Sequence, residues 1–336
     1  MELQPQYSVK ANGNEVAEQL RDRIAEVSVT LRTGLLSDMC VVKFDNLEKA
    51  PITLPQPTDK LEIAMGYKQG TEDSKAPSVV MGEFQVGEYQ ITGPVRALEL
   101  VGNKVLWDQN LKAAKLRSWP SDPESPLTLG SVISDIAQEY GLTPRIAPAL
   151  DSITLPQIEQ SESDMQLMSK LAQQHDAVMK IINDNLIFMK KGTGRSLSGQ
   201  PLPQVTLEPK WIIDWKFNTL HYRLTKEVVA KFHDLGIAQL QTVSAGGGAP
   251  SLTLPYTYAD EASAQHAADS KLAQLTRAHV SADMVVYGNP DIMAGAVVEV
   301  QGTQSALDKR WFVKEVRHVI NGHGFLSYLS CETLSE

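Results

Sequence analysis

The residues best suited to chemistry cluster near the end of the chain. His318 and His323 bracket Asn321-Gly322, a dipeptide typical of a tight hairpin turn, with Asp308 and Glu315 nearby in sequence. Two imidazoles and two carboxylates at one sheet edge could hold a divalent cation or exchange a proton. Their spacing repeats no metal-ligand pattern, and the competing expectation is a set of strand-facing or surface side chains. Of the other histidines, His266 and His279 fall on a polar helical stretch and are expected to be solvated. His175 ends a second helix, where a cation suits the macrodipole. Gly192-Thr193-Gly194-Arg195 has the glycines of a phosphate loop but neither its lysine nor the helix that should follow, so it reads as linker. GxxxxGKS or GxxxxGKT, GxGxxG, HExxH, GxSxG and CxxC are all absent from the sequence. A glycosidase needs two carboxylates facing each other across a cleft, and spacing singles out no such pair among the 40 acidic residues. No residue is therefore assigned to catalysis, to a cofactor or to a metal.

Aromatic residues give a weaker signal. Trp107, Trp119, Trp211, Trp215 and Trp311 are scattered. Trp211 and Trp215 lie four apart in a strand-like piece, hence on one face, which suits core or interface packing more than a sugar-binding platform.

The elements that must position these residues change character along the chain. Residues 6–105 read as short strands: Ser28 to Leu31, Met39 to Phe44, Leu61 to Tyr67, Val79 to Val86, Tyr89 to Thr92 and Pro94 to Val101. Strands so close together, with no helices between them, predict antiparallel pairing in a barrel or sandwich. Val16, Leu20 and Ile24 stand at helical spacing. After Trp119 a proline-rich breaker leads to a helix that Thr128 can cap, with Leu129, Val132, Ile133, Ile136, Ala137 and Tyr140 on its apolar face and Gly141 at its end. Ser161 to Asp164 resembles a capping box and predicts a second helix; Ala177 to Ile182 and Asn185 to Met189 then read as a hairpin around Asp184.

A linker from Lys190 to Gln204 precedes strand-like pieces at Gln204 to Leu207, Ile212 to Lys216, His221 to Leu224 and Glu227 to Phe232. Ala245 to Pro250, with three consecutive glycines, is expected to be a mobile loop and an early site of proteolysis. An Ala-rich polar helix is predicted from Asp260 to His279, and the remainder is β again: Met284 to Tyr287, Val297 to Gln301, Trp311 to Ile320 and Gly324 to Cys331.

Composition narrows the function classes. The 336 residues, 42% hydrophobic and 21% charged, suffice for more than one core. The net charge of −9 is spread evenly, with a net −3 in each of 1–115, 116–204 and 205–336, so no segment could grip phosphates by counterion release. Cys40 and Cys331 are too few for a disulfide scaffold and read as free thiols in a reducing cytosol. The polar opening residues offer no signal peptide, and the longest apolar runs fall short of a membrane span.

The order of these pieces resembles the phage late-control D family, the tail hub proteins of contractile phages, and is similar to the hub region of type VI secretion spike proteins. The match is carried by Leu36-Ser37-Asp38, by Lys60 to Tyr67, by Met81-Gly82-Glu83-Phe84 and, in the helical section, by Ser118-Trp119, Leu127 to Gly130, Gly141 to Pro144 and Gln160 to Asp164. Ala294 to Val300, Trp311-Phe312-Val313 and Val316-Arg317-His318 close it. Met165 departs from the aromatic expected there.

The resemblance implies an α+β, β-dominated chain: two similar antiparallel β-barrel domains with a small α/β insert, assembling as a trimeric ring. On that basis residues 1–116 are the first barrel, 117–192 the insert, 193–204 a linker and 205–336 the second barrel with an inserted helix near 260–279. It implies no catalytic residues and no cofactor. It also implies a homotrimer adapting a six-fold tail tube to a three-fold spike, bound to tube, spike and other baseplate proteins in a virion tail assembled in the host cytoplasm. Sequence-specific nucleic-acid binding and membrane insertion are not expected, and a chain closing at Glu336 implies a separately encoded spike. A tail-associated peptidoglycan hydrolase and a sugar- or receptor-binding module are the competing function classes.

Overall fold

The computed structural model of the chain describes residues 4–16, 20–34, 37–46, 51–56, 59–68, 79–94, 96–104, 109–122, 124–182, 184–192, 204–220, 224–234 and 236–334. Two compact units emerge. The first comprises Met1–Leu106, Pro203–Phe217 and Ala282–Cys331, the second Trp107–Leu202, Asn218–Ser281 and Glu332–Glu336.

The N-terminal strands are β1 (Gln4–Ala11), β2 (Asn14–Glu15), β3 (Ile24–Arg32), β4 (Met39–Asp45), β5 (Lys60–Lys68), β6 (Val79–Thr92) and β7 (Ala97–Lys104). Val79–Val86 and Tyr89–Thr92, expected as two strands, are one strand with a bulge between Val86 and Glu88. In the stretch expected to be helical, Arg21–Arg23 is a single 3₁₀ turn running straight into β3. The helical section contributes β8 (Arg117–Trp119), α1 (Leu129–Glu139), β9 (Thr143–Ile146), α2 (Pro148–Asp151), β10 (Ile158–Gln160), α3 (Asp164–Gln174), β11 (Ala177–Ile182) and β12 (Asn185–Lys190). Then follow β13 (Gln204–Leu207), β14 (Ile212–Thr219), β15 (Glu227–Asp234), β16 (Gln239–Gly246), β17 (Ser251–Tyr258), α4 (Glu261–His279), β18 (Val280–Tyr287), β19 (Val297–Val300), β20 (Arg310–Asn321) and β21 (Gly324–Thr333). Trp107, the linker 193–203 and the start of the expected strand at His221 lie outside the described residues.

One thirteen-stranded sheet runs β14-β18-β21-β20-β3-β4-β7-β6-β5-β1-β2, with β13 and β19 joined to it through β20. Strands of both expected blocks therefore share this one sheet, while β15, β16 and β17 form a separate three-stranded sheet, and among the described residues no strand pair closes either block into a separate barrel. The junction is antiparallel, from Glu315↔Arg32 to Asn321↔Glu26. Its physical reason lies in β3, where Val27, Ser28, Val29, Thr30 and Leu31 are all buried. A strand covered on both faces cannot leave a main-chain edge unpaired, and β20 supplies the missing donors and acceptors. Pairing is also not uniformly antiparallel: β13–β19, β9–β12 and β15–β17 are parallel.

The second unit holds two cores. Around α1 and α3 pack Leu129, Val132, Ile133, Ile136, Leu167, Met168 and Leu171. Thr128 caps α1 in a reciprocal box with Ser131, and Gly141 takes φ +67 just past the helix end, as its position predicts. The cap of α3 is Ser163: its hydroxyl accepts from the Gln166 N–H at 3.2 Å while the Gln166 side chain accepts from the Ser163 N–H at 3.1 Å. Ser163→Ala should therefore cost about 1 kcal/mol in urea unfolding, and an unchanged midpoint would show the box to be idle.

The other core forms where α4 lies on β15, β16 and β17. Ala264, Ala267 and Ala268 let helix and sheet approach closely over Val228, Ala230 and Phe232. Residues 244–250, expected to be a free loop, are held: Gly247 N–H donates to the Lys226 carbonyl at 3.0 Å, Lys226 N–H to the Pro250 carbonyl at 2.9 Å, and Gln265 Nε2 to the Ser244 carbonyl at 3.3 Å. Gly246 is there for close approach. A Cβ would sit 2.2 Å from the Lys226 carbonyl oxygen, in a backbone with φ +73.

Candidate functional site

The histidines and carboxylates singled out by sequence do not converge. His318 is fully buried in β20, where its Nδ1 meets the Ser327 hydroxyl at 2.8 Å and its Nε2 the Ile292 carbonyl at 3.0 Å. The carbonyl requires a protonated Nε2, so Nδ1 of the neutral ring accepts from Ser327. Burial pushes its pKa down to about 4, the carbonyl only partly opposing. His323 sits exposed in the hairpin turn. Glu315 pairs with Arg32 Nε at 2.8 Å, and Asp308 accepts from the Gly302 and Thr303 N–H groups in a surface loop. Among the described residues no group of three or more His, Cys, Asp or Glu could hold a metal ion. Cys40 and Cys331 are buried free thiols, and burial raises Cys40 to about 12.

His266 is not a solvated helix residue. Its ring stacks on His175 at 5.3 Å, and burial lowers both, His175 to about 4. The tryptophans separate as well. Trp119 and Trp311 are buried, their indole N–H groups donating to Gln160 Oε1 and the Leu307 carbonyl, each at 2.9 Å. Trp211 ends a 3₁₀ turn, exposed, one residue before β14, and Trp215 is half-buried within that strand.

Buried charge is concentrated instead in the second unit. Arg277, in the last turn of α4, donates through Nη2 to Asp176 Oδ1 and places Nε 3.5 Å from Glu332 Oε1, which Lys191 Nζ approaches at 3.2 Å. Asp164, fully buried at the start of α3, accepts from Tyr140, Gln160 and Lys115 at 2.7, 2.8 and 2.7 Å. The partners named here all come from the chain's own elements, so these networks hold those elements together.

Exposed apolar side chains gather at strand edges. The last six residues of β6, Gly87 to Thr92, are all exposed, with Tyr89 and Ile91 on one face. Beside β14 stand exposed Trp211 and Ile213. Apolar side chains exposed on strand edges are the kind of surface that another chain can cover. Sequence reasoning missed this surface because it looked for reactive groups, whereas the signal was alternation continuing past the bulge.

Comparison with known proteins agrees with an assembly role. No family model matches the chain. Probable baseplate hub proteins of Escherichia phages 186 and P2 are each 24% identical, over 98% of this chain and 93% of theirs. The chain is thus similar to phage baseplate hub proteins over nearly its whole length. Among solved structures, the tail protein from Neisseria meningitidis MC58 superposes with TM-score 0.69 at 13% identity, covering 98% of this chain and 96% of that one. An E. coli component of the type VI secretion system, itself described as similar to T4 bacteriophage tail proteins, gives 0.60 at 10% identity, covering 98% and 77%. These structural likenesses show a shared fold over 98% of this chain.

Proposed function

We propose that this chain is the structural hub of a contractile phage tail or phage-like injection machine and carries no catalytic activity. The observation that supports this most is the match to baseplate hub proteins over 98% of the chain. The dispersal of His318, His323, Asp308 and Glu315 into structural roles accords with it. Three copies form a ring between a six-fold tail tube and a three-fold spike, with other baseplate proteins around it, and DNA passes through the ring. Residues 1–116 and 205–336 supply the two barrel-like halves of each copy and 117–192 the insert. An acidic chain suits that passage, because a basic wall would hold phosphates and stall the genome.

Sedimentation and electron microscopy of the purified chain with its spike protein should show a ring of three copies. A chain that stays monomeric at every concentration, spike included, would contradict the hub. Binding to duplex DNA at physiological salt should be negligible, and tight, salt-sensitive binding would contradict the passage.

A further inference from the structure

Two strand edges of the first unit are open among the described residues. β5 pairs with β6 only from Met65↔Val79 to Lys60↔Gln85, and the Val86 N–H then reaches the Asp59 carbonyl at 2.9 Å. Beyond the bulge, Glu88 to Thr92 pair on one side alone, with β7, from Glu88↔Val101 to Thr92↔Ala97. The second open edge is β14, which ends the sheet and has β18 as its one neighbour. Edge strands are usually blunted by proline or very short length. Neither Glu88–Thr92 nor Ile212–Thr219 contains a proline, and both present large apolar side chains, Tyr89 (46% exposed) and Ile91 (50%) against Ile213 (49%) and the half-buried Trp215.

We propose that Glu88–Thr92 of one copy pairs antiparallel with Ile212–Lys216 of the next copy, carrying one sheet from chain to chain around the ring. The partner is a second copy because the two edges complement each other in register. With Glu88 opposite Lys216, Tyr89 falls opposite Trp215, Gln90 opposite Asp214 and Ile91 opposite Ile213. One face is then an aromatic and aliphatic ladder. The other joins a carboxylate to an ammonium and an amide to a carboxylate, the cross-strand combinations that stabilise antiparallel pairs. Among the described residues no ion pair with Glu88 or Lys216 is formed within the chain. β14 meeting a second β14 in antiparallel register about Asp214 would set two carboxylates face to face, which is unfavourable. Using two different edges makes the contact heterologous, the kind that closes into rings. The inference rests on the hub reading for its ring, and supplies the surface that holds it.

The test uses the full chain carrying Gln90→Cys and Asp214→Cys together, oxidised under non-denaturing conditions. Disulfide-linked dimers and trimers should form in the double variant and not in either single variant; the native Cys40 and Cys331 are buried and provide the background. In parallel, Glu88→Lys and Lys216→Glu should each weaken ring assembly by about tenfold in sedimentation, and the two together should restore it. Equal cross-linking by one single variant would mean like edges meet, and would overturn the proposal. A normal trimer with no cross-links in the double variant would overturn the strand pairing and leave the hub standing. A monomer throughout, with the unmodified chain monomeric beside its spike, would overturn the hub reading itself.

Discussion

Replacing Arg277 by alanine should destabilise the second unit by about 3–5 kcal/mol, far more than any surface substitution. Arg277 is 2% exposed and lies 101 positions from Asp176, whose own carboxylate is buried where the chain leaves α3 with φ +50. Removing the guanidinium leaves that carboxylate in the interior with no cation in contact, and a lone buried charge costs more than the pair contributes. Burial raises the Asp176 pKa above the usual carboxylate range, and Arg277 is the largest influence pulling it back. Without Arg277 the carboxyl therefore takes up a proton more readily. A group with a raised folded-state pKa stabilises the fold at low pH and loses that contribution as pH rises through it. The deficit of Arg277→Ala relative to wild type should accordingly be larger at pH 7 than in acid. Urea unfolding at pH 7 and in acid, with hydrogen exchange of the α4 amides locating the loss, reads both effects. A variant within 1 kcal/mol of wild type at pH 7 would mean that water or Lys191 takes over the carboxylate.

What the sequence made legible follows a physical boundary. Thr128, Gly141 and Asp184 were readable because caps, C-terminal glycines and two-residue turns are decided within a few residues. The Ser161–Asp164 segment marked the helix start, and within it Ser163 is the cap. β16 was not readable because it shows almost no apolar alternation, whereas β17 was missed although Leu252, Leu254, Tyr256 and Tyr258 alternate along it. Both pair with β15 in a sheet that α4 covers on one face. β3–β20 joins residues almost three hundred positions apart, and nothing in either strand names its partner. His266 looked solvated because α4 carries few large apolar side chains; its ring stacks on His175, just past the end of α3. The open edges had the clearest sequence trace of the candidate surface. Tyr89 and Ile91 continue the alternation of Val79–Val86, although their lack of a partner strand appears only in the sheet order.

Acid should weaken the first unit well before its carboxylates titrate, through His318. Its ring is fully buried against Phe325, with Nε2–H given to the Ile292 carbonyl and Nδ1 filled by the Ser327 hydroxyl, which also accepts the Asn289 N–H at 3.1 Å. A second proton on that ring must displace the hydrogen bond it accepts from Ser327 and be buried as charge. The folded-state pKa is about 4, against 6.5 for a free histidine. With the folded value depressed, the unfolded chain binds the extra proton first, so stability is complete above about pH 6.5 and falls as pH drops toward 4. Over that interval one such histidine removes about 3 kcal/mol. His318→Gln should lower stability at pH 7, because the glutamine fits the Ser327–Ile292 bridge less well, yet give a shallower decline on acidification. His323→Gln, in the exposed hairpin turn, should reproduce the wild-type slope. Urea unfolding between pH 7 and pH 4.5, read by hydrogen exchange in β20 and β21, separates this from the contribution of His175 in the second unit. An identical pH slope in wild type and His318→Gln would show that the buried imidazole is not the group that senses acid.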